Sequence, residues 1–430
     1  MKTVIKRTYL VTLSFFLLIF TVSNTFAYWA SNLISSPTQS NQQVGIGEWD
    51  FNNPNLPLGI QLYVPNTGYT QGTALYYEGN YYFAKVNTST SHTLGEGNGY
   101  WAPYNQYTLN YVPFNSYVVN QYVYHEASNA YYYAFSNEAN ANAPVTSNHW
   151  YRVGSIEFVT YNRYPTGSIV EYNGSYFRRL VNYDIGALPT PANSQIWKNL
   201  LEVIDWQPQI YAQAGTVVQY NGIYYSNSWY AQANDVPGTG QNWKVYNATF
   251  TTPNNFTNGK VVEYQGSVYR LVNQAKRNSI PGTQPNSWNK INTLDYHQYN
   301  IYALNDIVLY NGGVYRVVNA TNANNHLPGT FYNAWNRLDS ITYQPNNVYT
   351  NNDLVLYNNL PYVVVNATNA NGNTPGTIAN GWNLLGSLEY QWFNLYKSGD
   401  FIIYNNVAYR ANQNVVNELP STSNKWTALG

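Results

Sequence analysis

A ladder of tyrosines closed by a tryptophan repeats along this chain and constrains its fold more than any other feature. The clearest copies run Tyr302, Tyr310, Tyr315, Trp335 and then Tyr349, Tyr357, Tyr362, Trp382, with identical intervals of 8, 5 and 20 residues. Phe256, Tyr264, Tyr269 and Trp288 repeat them with the last step shortened to 19. The frame extends to Tyr69, Tyr77, Tyr82, Trp101; a distorted Tyr117, Tyr124, Tyr132, Trp150; Tyr164, Tyr172, Phe177, Trp197; Tyr211, Tyr220, Tyr225, Trp243; and Tyr396, Tyr404, Tyr409, Trp426. The closing tryptophans fall every 44 to 49 residues, a period that marks an array of modules, whether a solenoid, a propeller or beads on a string. The spacing predicts an all-β tandem array of about eight small three-stranded modules of roughly 46 residues each.

The local signals agree with strands and turns. Between Asn305 and Val318, two apolar runs flank Asn311-Gly312, and such a step between apolar runs marks a type I′ hairpin because both central residues need positive φ. Equivalent steps are Asn173-Gly174, Asn221-Gly222, Gln265-Gly266, Asn358-Asn359 and Asn405-Asn406. A polar loop closed by Pro-Gly or Pro-Ser follows, as at Pro328-Gly329 and Pro420-Ser421, and then the tryptophan. From each tryptophan to the next opening aromatic there are 13 to 16 residues, which leaves room for a further β-type stretch such as Ser340–Tyr343 but not for a flexible linker. The resulting units are 63–103, 104–152, 153–199, 200–245, 246–290, 291–337, 338–384 and 385–430, numbered modules 1 to 8 below, with 28–62 outside the repeat as a linker, a capping strand or a segment donated to a neighbouring molecule.

Composition narrows the partners. Formal net charge is zero and only 9% of residues are charged, so no basic field is present to draw in nucleic acid or an anionic membrane. Aromatics reach 17%, while Asn, Gln, Thr and Ser supply most of the polar remainder. Cysteine is absent, which removes disulfides and thiolate chemistry. At the N-terminus Lys2, Lys6 and Arg7 precede an apolar run from Tyr9 to Val22 and small residues at Thr25 and Ala27. That is the layout of a secretory signal over residues 1–27, cleaved after Ala27, and it predicts a secreted or cell-surface protein. The run is short for a bilayer span of about 20 residues, so no stable span is expected after cleavage; an uncleaved anchor is the alternative.

The skeleton Tyr396, Gly399-Asp400, Tyr404, Tyr409, Pro420, Trp426, matched at Tyr302, Asn305-Asp306, Tyr310, Gly312, Tyr315, Pro328 and Trp335, resembles the chitin-binding type 3 modules of carbohydrate-binding module families 5 and 12. The resemblance covers about residues 63 to 430 and implies polysaccharide binding through exposed aromatics, chiefly a tryptophan pair four and five residues after the second tyrosine. Trp229 and Tyr230 stand there in module 4, and Trp206 stands five residues before Tyr211. Other copies read Val318-Asn319, Val365-Asn366 or Gln413-Asn414 at those positions and depart from the pattern.

The strictly spaced aromatics read as module cores, whereas the non-recurring Trp206, Trp229, Tyr230 and Trp392 are free to stack on the C–H face of a sugar ring. Catalysis finds little support. Glu171 and Glu263 have Gln219, Leu309, Leu356 and Ile403 as counterparts, and Asp306, Asp353 and Asp400 fall in a predicted turn where Asx hydrogen bonding accounts for them. His92, His125, His149, His297 and His326 show no metal-ligand spacing, so neither a metal nor a cofactor is expected. The expectation is a non-catalytic, multivalent polysaccharide-binding protein, chitin-like polymer or cell-surface glycan being the ligand. The alternative is a self-associating structural protein of a filament, surface layer or matrix, which low charge favours.

Overall fold

The computed structural model describes residues 56–94, 100–103, 109–113, 117, 119–136, 143–182, 186–190, 193–208, 216–227, 231, 234–246 and 249–430. The expected signal over 1–27, residues 28–55, and Tyr211, Trp229 and Tyr230 lie outside the described residues. What is described is nearly all β, built of eight small sheets in tandem, as the ladder predicts.

Module 7 shows how the sequence makes one sheet. Strands Leu354–Tyr357 and Leu360–Val364 flank Asn358 and Asn359, whose φ values of 51° and 62° are the left-handed pair of a type I′ turn. Asparagine tolerates that region better than any residue but glycine, and Asn173-Gly174, Asn221-Gly222, Gln265-Gly266, Asn311-Gly312 and Asn405-Asn406 are left-handed at both positions too. Trp382–Leu384 closes the sheet antiparallel to the second strand, with Trp382 opposite Val364. The loop between them carries one helical turn, Ala367–Ala370, capped by the Asn366 side chain, which accepts from the amides of Thr368 and Asn369.

A lead residue pairs parallel with the first strand of each module, always from 14 positions upstream: Asn110 with Tyr124, Glu157 with Glu171, Thr249 with Glu263, Asp295 with Leu309, Thr342 with Leu356 and Glu389 with Ile403. In modules 1 and 4 the lead lengthens into strands, Ile60–Leu62 and Val203–Asp205. Residues 60–62 thus belong to module 1, although the aromatic frame places them outside it. The 14-residue step holds the opening aromatic and is long enough for the crossover that parallel pairing demands.

Two consecutive buried residues open the first strand of every module but 2, where Tyr122 is half-buried ahead of Val123, and they point to opposite faces because side chains alternate along a strand. In module 6, Val308 joins Tyr302 and Trp335 in the module's own core, while Ile307 leaves that core and packs with Ile169 of module 3. The outward face is therefore buried as well, and the chain folds back on itself. Val203 and Val217 of module 4 share a cluster with Val261 and Val268 of module 5 and with Ile291, the residue that follows it. Ile60 and Ala74 of module 1 pack with Phe401, Ile403 and Ala408 of module 8. Leu109 of module 2 packs with Leu354 of module 7 and with Leu385, the residue that follows module 7, and the Tyr122 hydroxyl of module 2 donates to the Asn352 carbonyl of module 7. Modules thus pair 4 with 5, 3 with 6, 2 with 7 and 1 with 8; equivalent seam residues match in size in the pairs 3–6 and 4–5, and the small Ala74 shares its cluster with the large Phe401. Leu58 closes the last pair, its amide donating to Asn406 and its carbonyl accepting from Ala408.

Consecutive modules are clamped by asparagine amides. The Asn383 side chain, following Trp382, donates to the Leu395 carbonyl at 2.8 Å and accepts from the Leu395 amide at 2.7 Å. Asn394 accepts from the Leu384 amide at 2.9 Å in return. Asn336 with Asn347, and Asn289 with Asn300, repeat the exchange one and two junctions earlier. Asn254 holds the position of Asn347 in module 5 but turns inward, donating to the carbonyls of Thr251 and Arg277. That change falls at the junction of modules 4 and 5, where the chain reverses.

Candidate glycan-binding surfaces

The cores consume most of the aromatic rings. In module 7, Tyr343 stacks on Tyr349 with centroids 5.8 Å apart and meets Tyr357 and Trp382 edge-on at 5.6 and 5.8 Å. Edge-to-face rings in a cage gain about 0.5–1.5 kcal/mol per pair beyond burial. The Tyr349 hydroxyl accepts from the Gln344 amide at 2.7 Å and donates to the Gln344 carbonyl at 3.0 Å. The same two bonds recur at Tyr69, Tyr117, Tyr164, Tyr302 and Tyr396. Burial pushes the Tyr164, Tyr302, Tyr349 and Tyr396 hydroxyls well above the usual tyrosine range, despite those backbone bonds. Phe256 has no hydroxyl, and in its module Asn254 caps the corresponding carbonyl of Thr251 at 2.8 Å.

The cage has a fifth recurring member that the ladder misses. Tyr63, Tyr111, Phe158, Phe250, Tyr296, Tyr343 and Tyr390 each stand six residues ahead of an opening aromatic. Trp206 is the module 4 copy, set five residues ahead of Tyr211 instead, and that irregular step hides it from the frame. It meets Tyr220 edge-on at 4.9 Å, as Tyr343 meets Tyr357, and packs half-buried against Val218, Tyr225 and Trp243. The reading of Trp206 as non-recurring and free is therefore corrected: its ring is an edge of the core.

Trp392 is different. It is 44% exposed and meets Phe393 edge-on at 5.8 Å. Phe393 replaces Asn346 of the preceding junction and lies against Gly376 and Tyr362, so the exposed indole stands on a rigid base. Trp206 and Trp392 lie on different module pairs and do not form one site.

A groove of about 950 Å³ lies where modules 3, 4 and 5 meet. Its walls carry Tyr172, Tyr224, Asn173, Ser175, Gln195, Gln207, Gln219 and Asn292, with Lys198, Glu202, Asp205 and Arg270. The alternation that turns Tyr225 and Trp206 into the core turns Tyr224, Asp205 and Gln207 to the groove. Arg270 holds the Glu202 carboxylate at 2.8 Å, yet desolvation outweighs this attraction and raises the Glu202 carboxyl above its ordinary value. The groove's volume falls within the range of small-ligand sites, and its lining is more polar than is usual for them.

The aspartates sit in turns as predicted. Asp306, Asp353 and Asp400 accept from the amides of Ala303, Thr350 and Lys397 at 2.7, 2.7 and 2.8 Å. Among the described residues no group of three His, Cys, Asp or Glu side chains could hold a metal ion, and no helix is long and apolar enough to cross a membrane. No family model matches the chain, and no curated protein matches it.

Proposed function

We propose that this protein is a secreted, non-catalytic binder of extracellular polysaccharide, with the groove between modules 3, 4 and 5 as its main site. The observation that carries the reading is the groove's lining, in which Tyr224 stands among amides and hydroxyls that match sugar hydroxyls, beside Tyr172, whose ring belongs to the module 3 cage. The exposed Trp392 offers a second stacking platform, and Trp229-Tyr230, two and three residues beyond strand Ile223–Asn227, is the pair the chitin-binding resemblance points to. Sites of about 1 mM each would together gain roughly 10²- to 10⁴-fold on a repeating polymer. Sedimentation with insoluble chitin, cellulose and peptidoglycan tests this. Tyr224→Ala, Trp392→Ala and Trp229→Ala should each reduce retention while far-UV circular dichroism is unchanged. Unaltered retention in all three, or release of reducing sugar by the parent chain, refutes the reading.

A second reading, self-association into a filament or matrix, is favoured by one recurrent feature. Leu188, Ile280, Leu327 and Leu419 precede the proline in the loops of modules 3, 5, 6 and 8 and are all exposed. The turns are rigid, since the Thr283 and Thr330 hydroxyls donate back to the carbonyls of Ile280 and Leu327 at 2.8 Å. A repeated aliphatic row on a surface with little charge promotes association. Electron microscopy of the purified chain showing filaments, with no glycan retained, would put this reading first.

A further inference from the structure

At one strand position, cross-paired with the seam residue, several modules carry arginine: Arg178 opposite Ile169, Arg270 opposite Val261, Arg316 opposite Ile307 and Arg410 opposite Phe401. In the pair of modules 4 and 5 this arginine has a partner from across the seam, because Arg270 holds the Glu202 carboxylate at 2.8 Å. Glu202 stands three residues ahead of the lead residue Asp205, which pairs with Gln219. The same count from Glu157, the lead of module 3, reaches Gly154, which faces the pair of modules 3 and 6. There the arginines remain and the carboxylate is gone.

What stands in its place is a cavity of about 460 Å³, lined by Arg178 and Arg316 with Gly154, Thr166, Ser168 and Asn305. Arg178 Nη2 donates to the Asn305 carbonyl, whereas Arg316 Nε is buried with no hydrogen-bond partner. A buried donor left unpaired is destabilising, more so on a charged group. The nearby carboxylates do not fill the gap. The charges of Asp353 and Asp306 act on Arg316 and Arg178 respectively, but neither carboxylate hydrogen-bonds to its arginine: they accept from the Thr350 and Ala303 amides within their own turns, and neither lines the cavity. The rim at Thr166, Gly167 and Asn305 is exposed, so a ligand can enter.

We infer that the seam between modules 3 and 6 binds a carboxylate, presented by a uronic-acid residue, with Arg316 and Arg178 as its ligands. The carboxylate takes the place that Glu202 occupies in the neighbouring pair, and a guanidinium fork matches its geometry. The cavity exceeds what a carboxylate alone would fill, and the Thr166 and Ser168 hydroxyls are suited to the ring hydroxyls. The inference refines the polysaccharide reading but uses a different recess, so loss of neutral-polymer retention at the groove leaves it standing.

Isothermal titration of the full chain with sodium glucuronate, glucuronamide, glucose and sodium acetate at constant ionic strength tests it. Glucuronate should bind about tenfold or more tightly than glucuronamide or glucose, the ratio expected for a charge-assisted pair. Arg316→Gln should abolish that preference, and Arg316→Lys should retain part of it by charge alone. Equal binding of glucuronate and glucuronamide to the unaltered chain, a comparison that needs no folded variant, would overturn the inference. Acetate binding as tightly as glucuronate would overturn the sugar assignment.

Discussion

Exchanging the volumes of Ala74 and Phe401 tests the fold-back directly, since 327 positions separate them in sequence and one cluster holds both. Phe401 is 0% exposed and Ala74 is 3% exposed. Phe401→Ala removes a buried ring and should cost about 3–5 kcal/mol. Ala74→Phe alone forces a ring against Phe401 and should cost about 1–3 kcal/mol or more. If the two residues share the seam of modules 1 and 8, the new ring enters the space left by the old one. The double variant should then lose only about 2–3 kcal/mol, a coupling of at least about 1 kcal/mol, where independent sites add within about 0.5 kcal/mol. Equilibrium urea unfolding of the four proteins, followed by tryptophan fluorescence, measures the cycle. A lower slope against denaturant in Phe401→Ala would further indicate that the terminal pair opens before the rest. Additive losses, or a loss below about 1 kcal/mol for Phe401→Ala, would refute the pairing of first and last modules.

The asparagine clamp is equally exposed to test: Asn383→Ala strands the buried Leu395 amide and carbonyl and should cost about 3 kcal/mol by urea unfolding, with faster hydrogen exchange at Leu395, while exposed Asn424→Ala should stay within about 0.5 kcal/mol. Burial raises the Asp353 carboxyl above its usual value, so the stability linked to this group is whole below the unfolded-state pKa and is lost as pH rises through the higher folded value. Relative to the parent, Asp353→Asn should therefore gain melting temperature at about pH 7 and gain little at about pH 4. A larger gain at acid pH would reverse the sign assigned here. The Tyr164, Tyr302, Tyr349 and Tyr396 hydroxyls are raised in the folded chain, so their contribution is complete below the free-tyrosine pKa of about 10 and lost as pH climbs through the folded values. Phenolate absorbance from these residues should appear in one step with unfolding; a smooth titration without loss of circular dichroism would contradict the cage.

The candidate sites were legible only in part. The position of Trp392 outside the frame did signal exposure, but Trp206 misled because a one-residue change in spacing hid its place in the cage. The groove could not be read at all, since Tyr172, Gln219 and Asn292 belong to three different modules and meet only after folding. The paired Arg178 and Arg316 were invisible for the same reason.

The residues themselves determined the module. Strict aromatic spacing, left-handed Asn-Gly and Asn-Asn steps and Pro-Gly loops act over a few residues each, so the hairpin, the third strand and the caged core follow from local chemistry. Even the double burial of most first strands is written in apolar pairs such as Ile307-Val308 and Leu354-Val355. What no local pattern decided was the partner for the outward face. Any module offers a similar apolar residue there, and only the completed fold selects 1 with 8, 2 with 7, 3 with 6 and 4 with 5. Seam volumes must complement one another, and the chain reverses at the junction of modules 4 and 5, where Asn254 turns away from the clamp.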